Sequence, residues 1–333
     1  MRKNFFYFFV VCALCIFVSC KQKQFIKFSG LAQGTTYSIS YYDYEGRNFQ
    51  KDIDSILKNF DKSVSIYDST SLISKINKTG DPVKVDKYFT DIFNKAKIVS
   101  EQTNGALDVT VGPLVNAFGF GFKNKEKISD TLIDSLKKLV NYKNVKIENG
   151  YLVKSNPAIC LDFNAIAQGY SVDVISKYLE SKEVENYCVE IGGEVFAKGT
   201  KANGKRWNVG IEKPVDNSEE RELKATIYLE NKGLTTAGNY RKFYIENGIK
   251  YSHTIDPATG YPVRHSLLSV SVIADNCIDA DAYDTAFMVM GLEKSLAFLK
   301  EHKELEAYFI YSDKDGKMKT YETDGLKELL TEK

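Results

Sequence analysis

The chain reads as an α+β protein, a largely antiparallel sheet with helices packed on it. Three observations carry that reading. Strand-like runs cluster in the second half of the chain instead of alternating strictly with helices. Apolar residues at helical spacing concentrate in the first half. Aromatic residues reach 13%, with 21 Tyr and 20 Phe against one Trp, a composition suited to β-rich architecture. At 333 residues the chain has ample surface to bury in one large domain or two ordinary ones.

The first residues stand apart from the fold. Arg2 and Lys3 precede an apolar run over 5–18, and Ser19-Cys20 follows it. A basic start, a short apolar core and a small residue at the junction describe an export signal, and the run is too short for a comfortable membrane span. A Cys at the junction resembles the lipobox of bacterial lipoproteins. Residues 1–19 are therefore expected to leave, with Cys20 lipidated as the new first residue. Residues 20–29 are then a tether that holds the folded unit, 30–333, to a membrane surface.

Within that unit, alternation over 35–42 predicts a strand. Ile53, Ile56, Leu57 and Phe60 keep helical spacing, as do Phe89, Ile92, Phe93, Ala96 and Val99. Leu132, Ile133, Leu136, Leu139 and Val140 predict a third helix. The part over about 48–150 is thus mostly helical. From about 151 the texture changes to sheet. A short apolar strand over 158–161 runs into a helix that continues to about 179. Strands follow over 187–191, 194–198, 207–212, 223–230 and 243–251, the last broken by Asn247-Gly248, a strong hairpin signal. Another strand covers 267–274. Helices cover 280–290 and 292–299, and a hairpin around Asp315-Gly316 closes the chain. No linker separates the two parts.

Composition narrows the function. Lys+Arg number 45 against 44 Asp+Glu, a net charge of +1, so no electrostatic surplus exists to grip nucleic acid. Charged residues at 27% and hydrophobic residues at 43% exclude a disordered chain, a collagen-like repeat and a multi-span membrane protein. Cys12 and Cys15 leave with the signal. Cys160, Cys188 and Cys277 lie in apolar stretches without metal-type spacing and read as small buried hydrophobes.

Four segments could carry chemistry. In Asp279-Ala280-Asp281-Ala282-Tyr283-Asp284-Thr285, Asp281 and Thr285 are i and i+4 and share a helix face. Their oxygens suit Mg²⁺ or Ca²⁺, although acidic residues also favour helix N-termini for electrostatic reasons alone. The small residues Ala165, Ala167 and Gly169 after Asp162 let another group approach the backbone, where a free carbonyl could complete a cation shell; close strand–helix packing explains them equally. His253, one of 3 His, sits between a strand end and an Asp-Pro turn, as a base near neutral pH or as a ring bonded to its turn. Glycine-rich turns at 105–113, 191–194 and 235–241 could receive a phosphate or a ring edge, and match neither a Rossmann nor a Walker loop.

Taken in order, seven segments resemble the ApbE family, the FAD:protein FMN transferases. They are Gly34-Thr35-Thr36-Tyr37, Ser65-Ile66-Tyr67-Asp68-Ser69, the run from Asp108 through Val115, that from Asp162 through Tyr170, Glu190-Ile191-Gly192-Gly193-Glu194, that from His253 through Pro262, and that from Asp279 through Thr285. The resemblance spans about 30–291. It implies a T-fold-like compact unit with two subregions and a Mg²⁺-dependent reaction. In it FAD is cleaved at its pyrophosphate, FMN passes to a Thr hydroxyl of an exported flavoprotein in a membrane redox complex, and AMP leaves. Carried over by position, Asp281 and Thr285 are side-chain metal ligands, Ala165 ligates through its carbonyl, and His253 is the base. Gln33, Tyr67, Ala106, Leu107, Asp108, Asp162, Gln168 and Ile255 fall at flavin-nucleotide contacts. Four positions depart from the family pattern. Gln168 replaces a usual Lys, Asn164 a usual Gly, Ala237 a usual Ser and Gln33 a common Met. An FAD pyrophosphatase giving FMN and AMP, or a lipid-anchored flavin-binding protein without turnover, are the competing expectations. The implied workplace faces the periplasm at the inner or the outer membrane.

Overall fold

The computed structural model describes residues 23–121, 125–215, 222–240, 243–246 and 249–332. The signal segment, Cys20 and the Asn247-Gly248 turn lie outside them. No helix among the described residues is long and apolar enough to cross a membrane.

The chain begins with a hairpin of β1 (Gln24–Ala32) and β2 (Thr35–Asp43). Its turn, Gln33-Gly34, has φ of 54° and 73°, the left-handed pair that a two-residue hairpin needs. Residues 24–29, expected as tether, thus belong to a strand: each pairs with β2, from Gln24↔Asp43 onward. Helices α1 (Gln50–Val64) and α2 (Leu72–Lys78) follow, then β3 (Val83–Lys84) and α3 (Lys87–Gln102). Ser71 and Asp86 cap α2 and α3, each accepting a backbone N–H three residues on. Next come α4 (Gly112–Ala117) and α5 (Asp130–Lys137), which stops short of Leu139 and Val140, and then β4 (Val145–Glu148) and β5 (Tyr151–Lys154).

The strand expected over 158–161 does not form. Asn77 explains why: its side chain takes the Leu161 N–H at 2.7 Å and gives its amide to the Leu161 carbonyl at 2.8 Å, standing in for a neighbouring strand. Helix α6 (Ala167–Ser181) then leads into β6 (Tyr187–Ile191), β7 (Glu194–Lys198), β8 (Trp207–Glu212) and β9 (Leu223–Leu229). The segment expected as a glycine-rich turn from 235 is mostly strand, β10 (Lys232–Gly238). After it come β11 (Phe243–Glu246), β12 (Ile249–Ser252), β13 (Leu267–Ala274), α7 (Cys277–Met290), α8 (Leu292–Glu301), β14 (Glu306–Ser312), β15 (Met318–Glu322) and β16 (Leu330–Glu332).

An eight-stranded sheet in the order β1-β2-β6-β7-β10-β13-β14-β15 is the frame, and every pairing in it is antiparallel. Both faces are covered, which is why β13 is buried along nearly its whole length, Ser269 and Ser271 included. Val270, Val272 and Ala274 face the helical side with Phe287 and Phe93. Ile273 faces the other side, where the sheet β16-β9-β8 lays Trp207, Ile211 and Ile227 against it. Helix α7 is buried nearly all round, carrying Ala280, Ala282, Ala286, Phe287 and Met288 at 0% exposure. Among the described residues Cys160, Cys188 and Cys277 are free thiols, as expected; Cys277 is buried and its Sγ–H donates to the Val195 carbonyl at 3.1 Å, whereas Cys160 and Cys188 are half-buried.

Candidate active site

Helices α6 and α7 touch at a glycine. A Cβ on Gly169 would lie 2.4 Å from the Cys277 carbonyl oxygen and 2.6 Å from the Asp281 Cβ, so only hydrogen fits. This approach lets the Gly169 N–H donate to Asp281 Oδ2 at 2.7 Å. One turn further along α6, the buried Asp173 accepts the Cys277 N–H at 2.8 Å and the Ile278 N–H at 2.9 Å, closing the N-terminus of α7. Two helices far apart in sequence are thereby locked in register. Ala165 and Gln168 stand at the start of α6, and Asp281, Asp284 and Thr285 on α7, around a common cavity of about 460 Å³.

Every described residue expected at a metal, base or flavin-nucleotide position lines that cavity: Gln33 and Tyr67; Ala106, Leu107 and Asp108; Asp162, Ala165 and Gln168; His253 and Ile255; Asp281 and Thr285. Asp108 contributes wall more than charge, since Oδ1 accepts the Thr110 N–H and hydroxyl and Oδ2 the Tyr142 N–H. Asp162 likewise accepts the Asn164 N–H through Oδ1 at 2.8 Å. Tyr67 is 63% exposed at the rim, with its hydroxyl reached by the Asn164 amide. Gln168 extends over Gly192, whose missing Cβ would sit 1.8 Å from its Nε2, and donates to the Ile191 carbonyl at 3.4 Å. Gln33 accepts from Ser171 Oγ at 3.2 Å, and its buried Nε2 has no partner. His253 follows β12 with its ring edge-on to Phe120.

The electrostatics centre on α7. Burial pushes the Asp281 carboxyl well above the usual carboxylate range, and burial with the neighbouring Asp281 charge pushes Asp284 up as well. Two buried carboxylates at i and i+3 invite a positive counter-charge. Among the described residues no three His, Cys, Asp or Glu side chains form a metal-holding group. The donors at hand are hard oxygens, from the Asp281 carboxylate, the Thr285 hydroxyl and the Ala165 backbone. That set fits Mg²⁺ and not zinc. Asp284 and the fully buried Thr235, whose hydroxyl bonds to the Asp284 carboxyl, were given no role from sequence. Asp284 was legible in principle, three residues after Asp281 and so one turn along the same helix. Thr235 needed the strand β10 to be recognised first.

This architecture is that of solved flavin transferases. The chain superposes on the flavin transferase ApbE from Vibrio cholerae with a TM-score of 0.83 at 33% identity, covering 92% of this chain and 99% of that one. It superposes on the apo form of the Pseudomonas stutzeri flavinyl transferase ApbE with a TM-score of 0.83 at 32% identity, covering 94% and 98%. In sequence it is 34% identical over 328 residues to the FAD:protein FMN transferase of Vibrio cholerae serotype O1, 96% of this chain and 97% of that protein. The ApbE family model matches residues 33–309, and the chain belongs to the ApbE family.

Proposed function

We infer that this enzyme is an FAD:protein FMN transferase, moving the FMN moiety of FAD to a Thr hydroxyl of an acceptor flavoprotein and releasing AMP. The single observation that carries the reading is the common cavity: its walls hold oxygen donors, a His and polar backbone turns within one cleft. In this reading Ala165, Asp281 and Thr285 hold Mg²⁺, which when bound neutralises charge on the pyrophosphate oxygens. Gly169 and Asp173 keep the two helices in register and so fix the donors relative to one another. Gln33, Tyr67, Ala106, Leu107, Asp108, Asp162, Gln168 and Ile255 receive the flavin nucleotide. With a neutral Gln168 in place of a usual Lys, contact is by hydrogen bonding and not by charge.

The acceptor oxygen attacks the phosphorus of the FMN half. A new P–O bond forms, the bond from that phosphorus to the bridging oxygen breaks, and AMP leaves with that oxygen. His253 takes the proton that the hydroxyl gives up. Lipidation at Cys20 would hold the enzyme on a membrane facing the periplasm, next to exported acceptors such as a subunit of a membrane redox complex.

One assay tests the reading. The protein is incubated with FAD, Mg²⁺ and a Thr-bearing acceptor domain. Flavin fluorescence that stays on the denatured acceptor supports transfer. Free FMN and AMP without labelling make the enzyme a pyrophosphatase, and unchanged FAD leaves a binding protein.

A further inference from the structure

Strand β10 is paired on both sides for only part of its length. With β13 its pairing runs unbroken from Gly233↔Ala274 to Gly238↔Ser269. With β7 it ends at Leu234↔Val195, because β7 turns away at Gly193. The direction of the remaining polar groups follows from antiparallel alternation. Asn239, continuing the same register, donates its N–H to the Leu268 carbonyl at 3.0 Å. Asn239, Ala237 and Thr235 therefore point their backbone groups at β13, and Gly238 and Thr236 point theirs away from it. The side-chain pair Thr236–Ser271, with hydroxyls 2.7 Å apart, agrees, since side chains approach most closely at non-hydrogen-bonded pairs.

The side they point to is the cavity. Thr236, Ala237 and Gly238 all line it, together with His253 and Thr254. Among the described residues, the backbone groups of Thr236 and Gly238 that face away from β13 have no strand partner. The cavity also meets the end of β8, the outer strand of its own sheet, at Gly210. Because Tyr228 donates to the Leu329 carbonyl just before β16, its partner Asn208 lies on a non-bonded pair, and Gly210, two residues on, likewise turns its backbone groups away from β9.

We propose that the acceptor's Thr-bearing segment binds as an extended strand on the open edge of β10, hydrogen-bonded to Thr236 and Gly238, with Gly210 in the facing wall. The proposal rests on the transferase reading and names how its protein substrate is recognised. A sheet edge reads backbone and not sequence, so affinity comes from main-chain bonds. A strand rises about 3.3 Å per residue, so Thr236 and Gly238, roughly 7 Å apart, address alternate residues of the incoming segment.

The test leaves the enzyme unaltered. The full chain in detergent micelles is given FAD, Mg²⁺ and a nonapeptide library with a central Thr and any residue but Pro or Cys elsewhere. The best-labelled sequence is remade with a single N-methyl group at each position in turn. Strand addition predicts that methylation at alternate residues raises the peptide KM about tenfold, roughly one hydrogen bond, while the intervening positions change it little. In isotope-labelled enzyme the Thr236 and Gly238 amides, but not that of Ala237, slow in hydrogen exchange when peptide is added. An absence of alternation, or protection of those two amides by FAD alone, overturns the proposal. So does labelling of a folded Thr-bearing domain when no library peptide is labelled, an outcome that leaves the transferase reading standing. No labelling of either kind with FAD intact removes both.

Discussion

Asp281 accepts the Gly169 N–H through Oδ2 at 2.7 Å while Asp284, a buried carboxyl of the same sign, sits one turn along. Burial raises both, so charge on either is costly without a cation beside it. Asp281→Ala should abolish Mg²⁺-dependent turnover while leaving FAD binding without metal measurable; full activity in a steady-state assay would remove Asp281 from the metal shell. A second side chain acts on stability alone. Lys154 Nζ donates to the carbonyls of Ile76, Pro157 and Ile159 at 2.9, 3.0 and 3.0 Å, knitting the loop that leads to Asp162. Burial lowers its pKa, and the three carbonyls answer its charge. Lys154→Met leaves them facing a thioether and should cost about 2 kcal/mol in urea unfolding.

Helices α6 and α7 make one unit of the site, and their contact at Gly169 is the element on which the geometry turns. Gly169→Ala drives a methyl group into the Cys277 carbonyl. The expected loss is about 1–3 kcal/mol of stability, with a larger fall in kcat than the stability loss alone explains, read by comparing thermal melts with turnover at a temperature where the variant is folded. At this scale the sequence was a good guide where periodicity was clean. The strands over 187–191, 194–198, 207–212 and 267–274 form with the bounds that alternation and apolar runs predicted. Periodicity failed where a distant residue decides. Only the folded chain brings the Asn77 side chain to Leu161, 84 positions on. Only β7 and β13 turn the Thr-Thr-Ala-Gly segment into a strand. The close approach at Gly169 was legible as a small residue after Asp162, but its partner was not, since the i, i+4 spacing of Asp281 and Thr285 says which face they share and nothing about what meets it. The family resemblance paired Ala165 with Asp281 and Thr285, and left the partner of Gly169 open.

Over the whole molecule, buried acids set the response to pH. Burial pushes the Asp173 carboxyl up to about 6 despite its two backbone N–H bonds, and burial with the Asp68 charge pushes Asp61 up to about 6. An acid with a raised pKa binds its proton more tightly folded than unfolded, where the value is about 3.9. Between about pH 4 and 6 the folded state thus holds more protons, and stability falls as pH rises through that window. In metal-free buffer Tm should drop from pH 5 to pH 7, and Asp61→Asn should flatten part of that drop. A Tm that climbs over the same interval would contradict the assignment. Mg²⁺ should raise Tm, and more so at pH 7 than at pH 5, because it competes with protons for Asp281.

The layers of the molecule place α6 and α7 between the eight-stranded sheet and the outer helices, so that their facing ends open on a single cleft. Whether that cleft gathers a cation against a dinucleotide is decided by a crystal soaked with Mn²⁺ and FAD, with the metal located by its anomalous scattering. The account predicts one peak about 2.1 Å from the Ala165 carbonyl, an Asp281 carboxylate oxygen and the Thr285 hydroxyl, with pyrophosphate oxygens completing its shell. FAD bound in the cleft with the manganese elsewhere, or with none, would contradict it.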